Sequence, residues 1–325
     1  MHLTCPACGC SFEYTGRATF FTSCPACKKR VTIRRRKSET SDFGVSKREC
    51  HDARAFYGRK IYAAAGAGRE SAIAENDLPP GVRNAVLCRD SRDLALIPDN
   101  SVHLMVTSPP YNVGKTYDDD LDMEEYLALL RAVFAETYRV LVPGGRACVN
   151  VANVGRKPYI PYHSAIIGVM AEIGFLMRGE VIWNKATGAG ISTAWGSWRS
   201  ASNPTLRDVH EYILVYSKGS YARKKGERED TIGREEFLEW TKSLWTFPTE
   251  SARKVGHPAP FPVELPYRCI QLYTFKGDVV LDPFAGAGTT GVAALRAGRD
   301  FVCVDSDAGY AERAKERLRA EGWDG

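Results

Sequence analysis

Three groups of residues in this 325-residue chain have types and spacings that could do chemistry. The first is Thr107-Ser108-Pro109-Pro110-Tyr111-Asn112, which follows the apolar run Val102-His103-Leu104-Met105-Val106. Ser108 brings a hydroxyl, Pro109 a carbonyl and Tyr111 a flat aromatic face. The Pro110 amide has no hydrogen and both prolines fix φ near −65°. Such a turn holds oxygen acceptors rigidly toward an incoming donor. The second group is Leu281-Asp282-Pro283-Phe284-Ala285-Gly286-Ala287-Gly288-Thr289-Thr290-Gly291, with Asp305 19 residues beyond Gly286. Glycine backbone that lets a ligand approach closely, and a carboxylate placed for ribose hydroxyls, suit an adenosine-containing cofactor. The third is Cys5-Pro-Ala-Cys8 and Cys24-Pro-Ala-Cys27, separated by fifteen residues. Four thiolates at that spacing close a tetrahedral structural zinc site with no position left for catalysis.

The elements that must position these groups follow from pattern. Residues 102–106 read as a buried parallel strand that the double proline stops. Ligands of open α/β sheets bind in the crevice beyond the carboxyl ends of the strands, where this turn would stand. The glycine loop follows a strand at 279–281 and opens a helix at 289–297, with a further strand at 301–304 and a helix at 310–320. A nicotinamide-dinucleotide fold starts with this motif and adds several strands after it, yet only about twenty residues follow Asp305. Earlier strands, including the one ending at Ser108, must therefore complete the sheet. A phosphate loop is excluded because Thr289, and no lysine, follows Gly288.

The rest of the chain alternates in the same way. A short strand at 85–88 leads to Asp90. Asp122 and Glu125 form a capping box for a helix whose apolar face is Tyr126, Leu129, Leu130, Val133 and Phe134, ended by Pro143-Gly-Gly. Strands at 147–151, 180–183 and 211–216 and helices at 163–173 and 262–274 complete a doubly wound, mostly parallel seven-stranded α/β sheet. The ribbon around the cysteines would add two short strands, at 11–15 and 18–22. We expect residues 1–37 to form a zinc ribbon with a basic tail, 38–82 a linker with one helix near 47–64, and 83–325 the large domain.

Composition agrees with a globular chain: 44% of residues are hydrophobic and 26% charged. The formal net charge is only +5, but seven of the ten residues 28–37 are lysine or arginine, a density that suits a polyanion. The first residues contain no apolar leader, and no run of eighteen apolar residues occurs. An intracellular, cytoplasmic protein is expected. Four of the ten cysteines fall in the metal pattern and the others are scattered, which fits a reducing compartment.

The order of the motifs, Thr107-Ser-Pro-Pro-Tyr111 first and Asp282-Pro-Phe-Ala-Gly-Ala-Gly288 last, resembles the β-class amino-methyltransferases of DNA. These are circularly permuted, so that the catalytic motif precedes the S-adenosylmethionine motif. The similarity spans 83–325. His257-Pro-Ala-Pro-Phe-Pro262 with Arg268 resembles the family's cofactor motif ahead of the glycine loop, and Asp90 matches its acid on the adenine side. Arg89 stands where the family has glycine.

The resemblance implies Ser108, Pro109, Pro110 and Tyr111 as the catalytic turn. It implies Asp90, His257, Pro262, Asp282, Phe284, Gly286, Gly288, Thr289 and Asp305 as cofactor residues. The substrate would be an exocyclic amine in duplex DNA, flipped out of the stack, its hydrogens accepted by Ser108 and Pro109 and its ring stacked on Tyr111. Serine at the first position resembles the cytosine-N4 enzymes, aspartate or asparagine the adenine-N6 enzymes. Cytosine N4 is expected, with adenine N6, and then RNA or protein, as alternatives. A non-catalytic nucleic-acid-binding module would need the ribbon but neither motif. Sequence recognition is expected within 187–256, where Trp195, Trp198, Arg199, Arg223, Lys224 and Lys225 could meet DNA. A cognate restriction endonuclease fits such a protein as partner, and a monomer or a homodimer both fit.

Overall fold

The computed structural model describes residues 2–16, 21–33, 38–39, 51–52, 57–63, 74–111, 120–185, 196–250 and 261–325. Residues 34–37, Asn112, Trp195, His257 and half of the stretch expected to hold a helix near 47–64 lie outside them; of its described residues, Lys60–Ala63 form one helical turn. The chain divides into the units Met1–Ala67 and Gly68–Gly325.

In the first unit β1 (His2–Thr4) pairs with β2 (Ser11–Glu13), and β3 (Phe21–Ser23) with β4 (Arg30–Thr32), both antiparallel. Each hairpin closes over one cysteine pair. Cys5 accepts from Gly9 N and Cys24 from Lys28 N, at 2.9 and 3.0 Å. Gly9 and Lys28 hold matching left-handed positions, φ 71° and 60°. The strand expected at 11–15 is shorter, most of the one expected at 18–22 lies outside the described residues, and β2 and β3 each pair across their own knuckle rather than with each other. Leu3, Cys5, Cys24, Val31 and Ile33 are the buried residues of this unit.

The second unit is built on an eight-stranded sheet. Its strands are β5 (Ala85–Cys88), β6 (Val102–Thr107), β7 (Leu141–Val151), β8 (Phe175–Asn184), β9 (His210–Lys218), β10 (Leu244–Thr246), β11 (Val279–Asp282) and β12 (Asp300–Asp305). Across the sheet they run β10-β8-β9-β7-β6-β11-β12-β5. Only the two pairings of β9 are antiparallel. The last two strands of the chain therefore fill the gap between the first two, as the short tail after Asp305 required.

Helices cover both faces. Helix α1 (Met123–Val140) and α2 (Tyr162–Ile173) bury Leu130, Val133, Phe134, Ile166 and Met170 against one side. Helix α3 (Arg234–Trp240) lies on the other, with α4 (Glu264–Tyr273), α5 (Thr289–Arg296) and α6 (Ala308–Ala320). Strand β6 is buried on both faces, which explains its unbroken apolar run. The capping box of α1 is present, with Glu125 N donating to Asp122 Oδ1 and Asp122 N to Glu125 Oε2, each at 2.9 Å.

Three expectations need correction. The sheet has eight strands rather than seven, because β10 adds an edge inside the stretch where sequence recognition, and no strand, is expected; Trp240, Trp245 and Phe247 are buried there. Helix α1 stops at Val140, and Pro143-Gly-Gly lies inside β7, where Gly144 at φ 78° lets Ala222 approach so closely that a Cβ would stand 2.4 Å from its carbonyl oxygen. The linker ends before residue 82, since Leu78 and Val82 are part of the main core. Among the described residues no helix is long and apolar enough to cross a membrane.

Candidate active site

Strands β6, β11, β12 and β5 are parallel neighbours, so Thr107, Asp282, Asp305 and Cys88 end side by side on one rim of the sheet. Ser108 is the first residue beyond β6. The Tyr126 hydroxyl donates to the Pro110 carbonyl at 2.8 Å, which ties α1 to the turn. Tyr126, only 1% exposed, read in the sequence as plain core; no local pattern distinguishes the two roles. Among the described residues no group donates to the Pro109 carbonyl.

Tyr111 lies with its ring against the core cluster, its hydroxyl 3.1 Å from Ser108 Oγ and 3.5 Å from Glu211 Oε2. Burial, and then the Glu211 charge, push its phenol well above the ordinary value. Glu211 is the second residue of β9. It accepts from Lys185 Nζ at 2.7 Å and from Asn150 Nδ2 at 2.6 Å. Sequence reading placed Glu211 only in a strand and passed over Lys185 and Asn150. They are 26 and 61 residues from it in the chain, so no spacing could reveal them.

The glycine loop is joined to this turn from behind. Asp282, 1% exposed, accepts from Thr107 Oγ1 at 2.6 Å, Thr290 Oγ1 at 2.7 Å and Phe284 N at 3.1 Å. Burial raises its carboxyl to about 6 despite these donors. Gly286 and Gly288 adopt φ 49° and 71°. A Cβ on Gly288 would meet Ala314 of α6 at 3.0 Å, so the loop needs glycine for packing as well as for conformation. Among the described residues no side chain caps α5, whose first turn carries Thr289. Its open amides make a local site for electronegative groups.

Asp305 Oδ2 accepts from Gly286 N at 2.7 Å and Oδ1 from Asp307 N at 2.9 Å, which shapes the loop. Burial raises its pKa, and those two amides hold it down in part. A carboxylate has about four acceptor positions, so two remain for a ligand. Ser91 Oγ donates to the Pro283 carbonyl at 2.6 Å and fixes the chain after β5 to the loop. Phe284 is half-buried against the core and Pro262 is buried.

Two expected cofactor contacts are turned elsewhere. Arg92 grips the Asp90 carboxylate, Nε to Oδ2 at 2.8 Å and Nη2 to Oδ2 at 2.5 Å, and lowers its pKa. Arg268 pairs with Glu264 and lies over Trp240, Trp245 and Phe247, an internal clamp rather than a ligand contact. Of the cations expected to meet DNA, Arg223 is buried on Asp278 at 2.6 Å and Lys225 pairs with Asp230 at 2.5 Å. Trp198, 65% exposed, remains on the surface.

In the first unit the sulfurs of Cys5, Cys8, Cys24 and Cys27 lie within 4.8 Å of one another. Cys5–Cys27 and Cys8–Cys24 are 3.6 and 3.7 Å apart, far beyond a disulfide and near the roughly 3.8 Å edge of a tetrahedron with 2.3 Å metal–sulfur bonds.

Comparison with known proteins agrees with this geometry. Residues 102–316 match the family model N6_N4_Mtase, DNA methylase. The Type II methyltransferase M.MjaI of Methanocaldococcus jannaschii is 30% identical over 277 residues, 72% of this chain and 90% of the relative. TTHA0409, a candidate DNA modification methylase of Thermus thermophilus, superposes with a TM-score of 0.61 at 34% identity over 74% of this chain and 97% of its own. That protein has also been solved complexed with S-adenosyl-L-methionine. The PvuII cytosine-N4-specific DNA methyltransferase shares the fold, with a TM-score of 0.59 at 20% identity, over 74% of this chain and 89% of its own. The matched residues span both the Ser108 turn and the glycine loop on one rim of a mostly parallel sheet, and the chain belongs to the N6/N4 DNA methylase family.

Proposed function

We propose that this protein methylates N4 of cytosine in duplex DNA, with S-adenosylmethionine as donor. The observation that carries the reading is the position of the Ser108 turn beside the glycine loop, locked to it through Thr107, Asp282 and Thr290. S-adenosylmethionine supplies an electrophilic methyl group on a sulfonium. The loop residues suit it: Gly286, Gly288 and Thr289 offer backbone and the open end of α5, Phe284 borders the loop, and Asp305 keeps two acceptor positions for ribose hydroxyls. Asp282 acts from behind, and Asp90 would have to leave Arg92 to reach the adenine. His257 and Pro262 belong to the cofactor motif by resemblance. The order along the chain, with the Ser108 turn ahead of the glycine loop, supports the permuted class.

An exocyclic amine is a weak nucleophile because its lone pair is delocalised into the ring. Ser108 and the Pro109 carbonyl accept its two hydrogens and stabilise charge that develops on nitrogen. The base must leave the stack to reach them, and Tyr111 receives it. Serine at position 108 favours cytosine over adenine. The test is nucleoside mass spectrometry of duplex DNA treated with protein and donor. N4-methylcytosine is expected. N6-methyladenine would replace the base, and no methylated base would refute the reading.

We further propose one structural zinc on Cys5, Cys8, Cys24 and Cys27, supported by the sulfur spacing, and a role of residues 1–37 in binding DNA. A cytoplasmic setting, and a cognate endonuclease as partner, fit the Type II relatives.

A further inference from the structure

The hydroxyl of Ser108 can help an amine only with the correct face. Its oxygen must accept an amine hydrogen, and its own hydrogen must point elsewhere. The residues behind the turn fix that choice. Glu211 has a side chain 14% exposed and Lys185 one 18% exposed; Nζ and Oε1 are 2.7 Å apart. Lysine only donates, so Glu211 is held as an acceptor-only carboxylate. Asn150, 2% exposed, donates to the other oxygen at 2.6 Å. It keeps that orientation although its own buried Oδ1 has no partner among the described residues, because the reverse would set two oxygens against each other.

The Tyr111 hydroxyl stands between Glu211 Oε2 at 3.5 Å and Ser108 Oγ at 3.1 Å. It has a single hydrogen, and the carboxylate draws it. Tyr111 must then accept from Ser108, so the Ser108 hydrogen is spent on the phenol and the Ser108 lone pairs face outward. We propose that Glu211, fixed by Lys185 and Asn150, is a positioning residue that sets the direction of the Glu211–Tyr111–Ser108 chain, so that Ser108 presents an acceptor to the target amine. The inference rests on Ser108 being that acceptor.

Glu211→Gln reverses the chain. Lys185 still requires an oxygen, so the amide nitrogen takes the Oε2 position, where Asn150 turns its Oδ1 to accept one hydrogen and Tyr111 must accept the other and donate to Ser108. The Ser108 hydrogen then points at the amine. Turnover should fall about tenfold, the effect of one neutral hydrogen bond, with donor affinity within about twofold. In Tyr111→Phe, which keeps the ring and removes the hydroxyl, the chain is cut. There Glu211→Gln should change kcat less than about twofold. An equal loss in both backgrounds would assign Glu211 a merely structural role and overturn the proposal, as would unchanged kcat in the single variant. Ser108→Ala, measured alongside, separates the two levels. If it is fully active, the acceptor reading itself fails. If it is impaired and the cycle is additive, only the role of Glu211 fails.

Discussion

Thr107 and Asp282 are joined by a 2.6 Å hydrogen bond although 175 positions separate them in the chain. Thr107 directly precedes the Ser108 turn and Asp282 opens the glycine loop. The same carboxylate takes Thr290 Oγ1 at 2.7 Å, while the Val106 carbonyl lies 3.2 Å from that hydroxyl as a second acceptor. Removing the Thr107 hydroxyl should therefore disturb turn and loop together. Thr107→Val is expected to cost about 1–3 kcal/mol of stability, as for a hydrogen bond to a charged group. It should also lower donor affinity and kcat in the same variant. Calorimetry and steady-state assays check this, and a change in one quantity alone would separate the two halves of the site.

The Asp282 carboxyl gives a pH dependence with a definite sign. Its pKa rises from 3.8 to about 6 on folding. The folded state holds the proton more tightly, so this contribution is complete below about pH 4 and is lost as pH rises through 6. On protonation Thr290 can turn its hydrogen to the Val106 carbonyl and accept from the acid. Urea unfolding of wild type and Asp282→Asn should show a stability difference that shifts in favour of wild type by on the order of 2 kcal/mol from pH 7.5 to pH 4.5. A difference that does not vary with pH would mean an ordinary carboxyl.

Asp305 shapes the glycine loop through Gly286 N and Asp307 N and keeps acceptor capacity for a ligand. Asp305→Ala should weaken S-adenosylmethionine binding by about 1–2 kcal/mol, five- to thirtyfold. Titration calorimetry measures it, and unchanged affinity would remove Asp305 from the site.

How much of this was legible depends on distance along the chain. The Ser108 turn, the glycine loop with Asp305 and the four cysteines each sit in one short window whose residue types impose a geometry, and the structure puts the turn and the loop on one rim of the sheet and the four sulfurs together. The insertion of β11 and β12 beside β6 followed from counting the residues left after Asp305. Glu211, Lys185 and Asn150 come together only when β7, β8 and β9 pair, which no local pattern records. Strand β10 was missed because a three-residue edge strand is too short to show a period. Arg223 read as a surface cation, yet its partner Asp278 is 55 residues away and both are buried. Pro143-Gly-Gly carried a stop signal that the strand used as a bulge.

The cysteine cluster should hold one zinc per chain, measured by elemental analysis. Chelation should unfold residues 2–33, whose few buried side chains cannot sustain a core alone. Lys28→Gly, which relieves the left-handed position matching Gly9, should slow zinc loss to a chelator. Metal content below half an equivalent in protein purified without chelator would argue against the site.

Residues 28–37 carry seven cations, so deletion of 1–37 should weaken duplex binding and flatten its dependence on salt. Fluorescence anisotropy across a salt series reads the slope. The same slope in both proteins would make the basic run a bystander.

The central claim is that Ser108 and the Pro109 carbonyl accept the hydrogens of a flipped base amine. Single-turnover methylation of a duplex by Ser108→Ala, with donor affinity measured on the same preparation, tests it most directly. One neutral hydrogen bond is lost while the Pro109 carbonyl remains, so the account predicts a rate about five- to 150-fold lower, equivalent to about 1–3 kcal/mol, with donor affinity unchanged. Methylation at the wild-type rate would contradict it, and would leave the turn a proline-stiffened loop with the chemistry elsewhere.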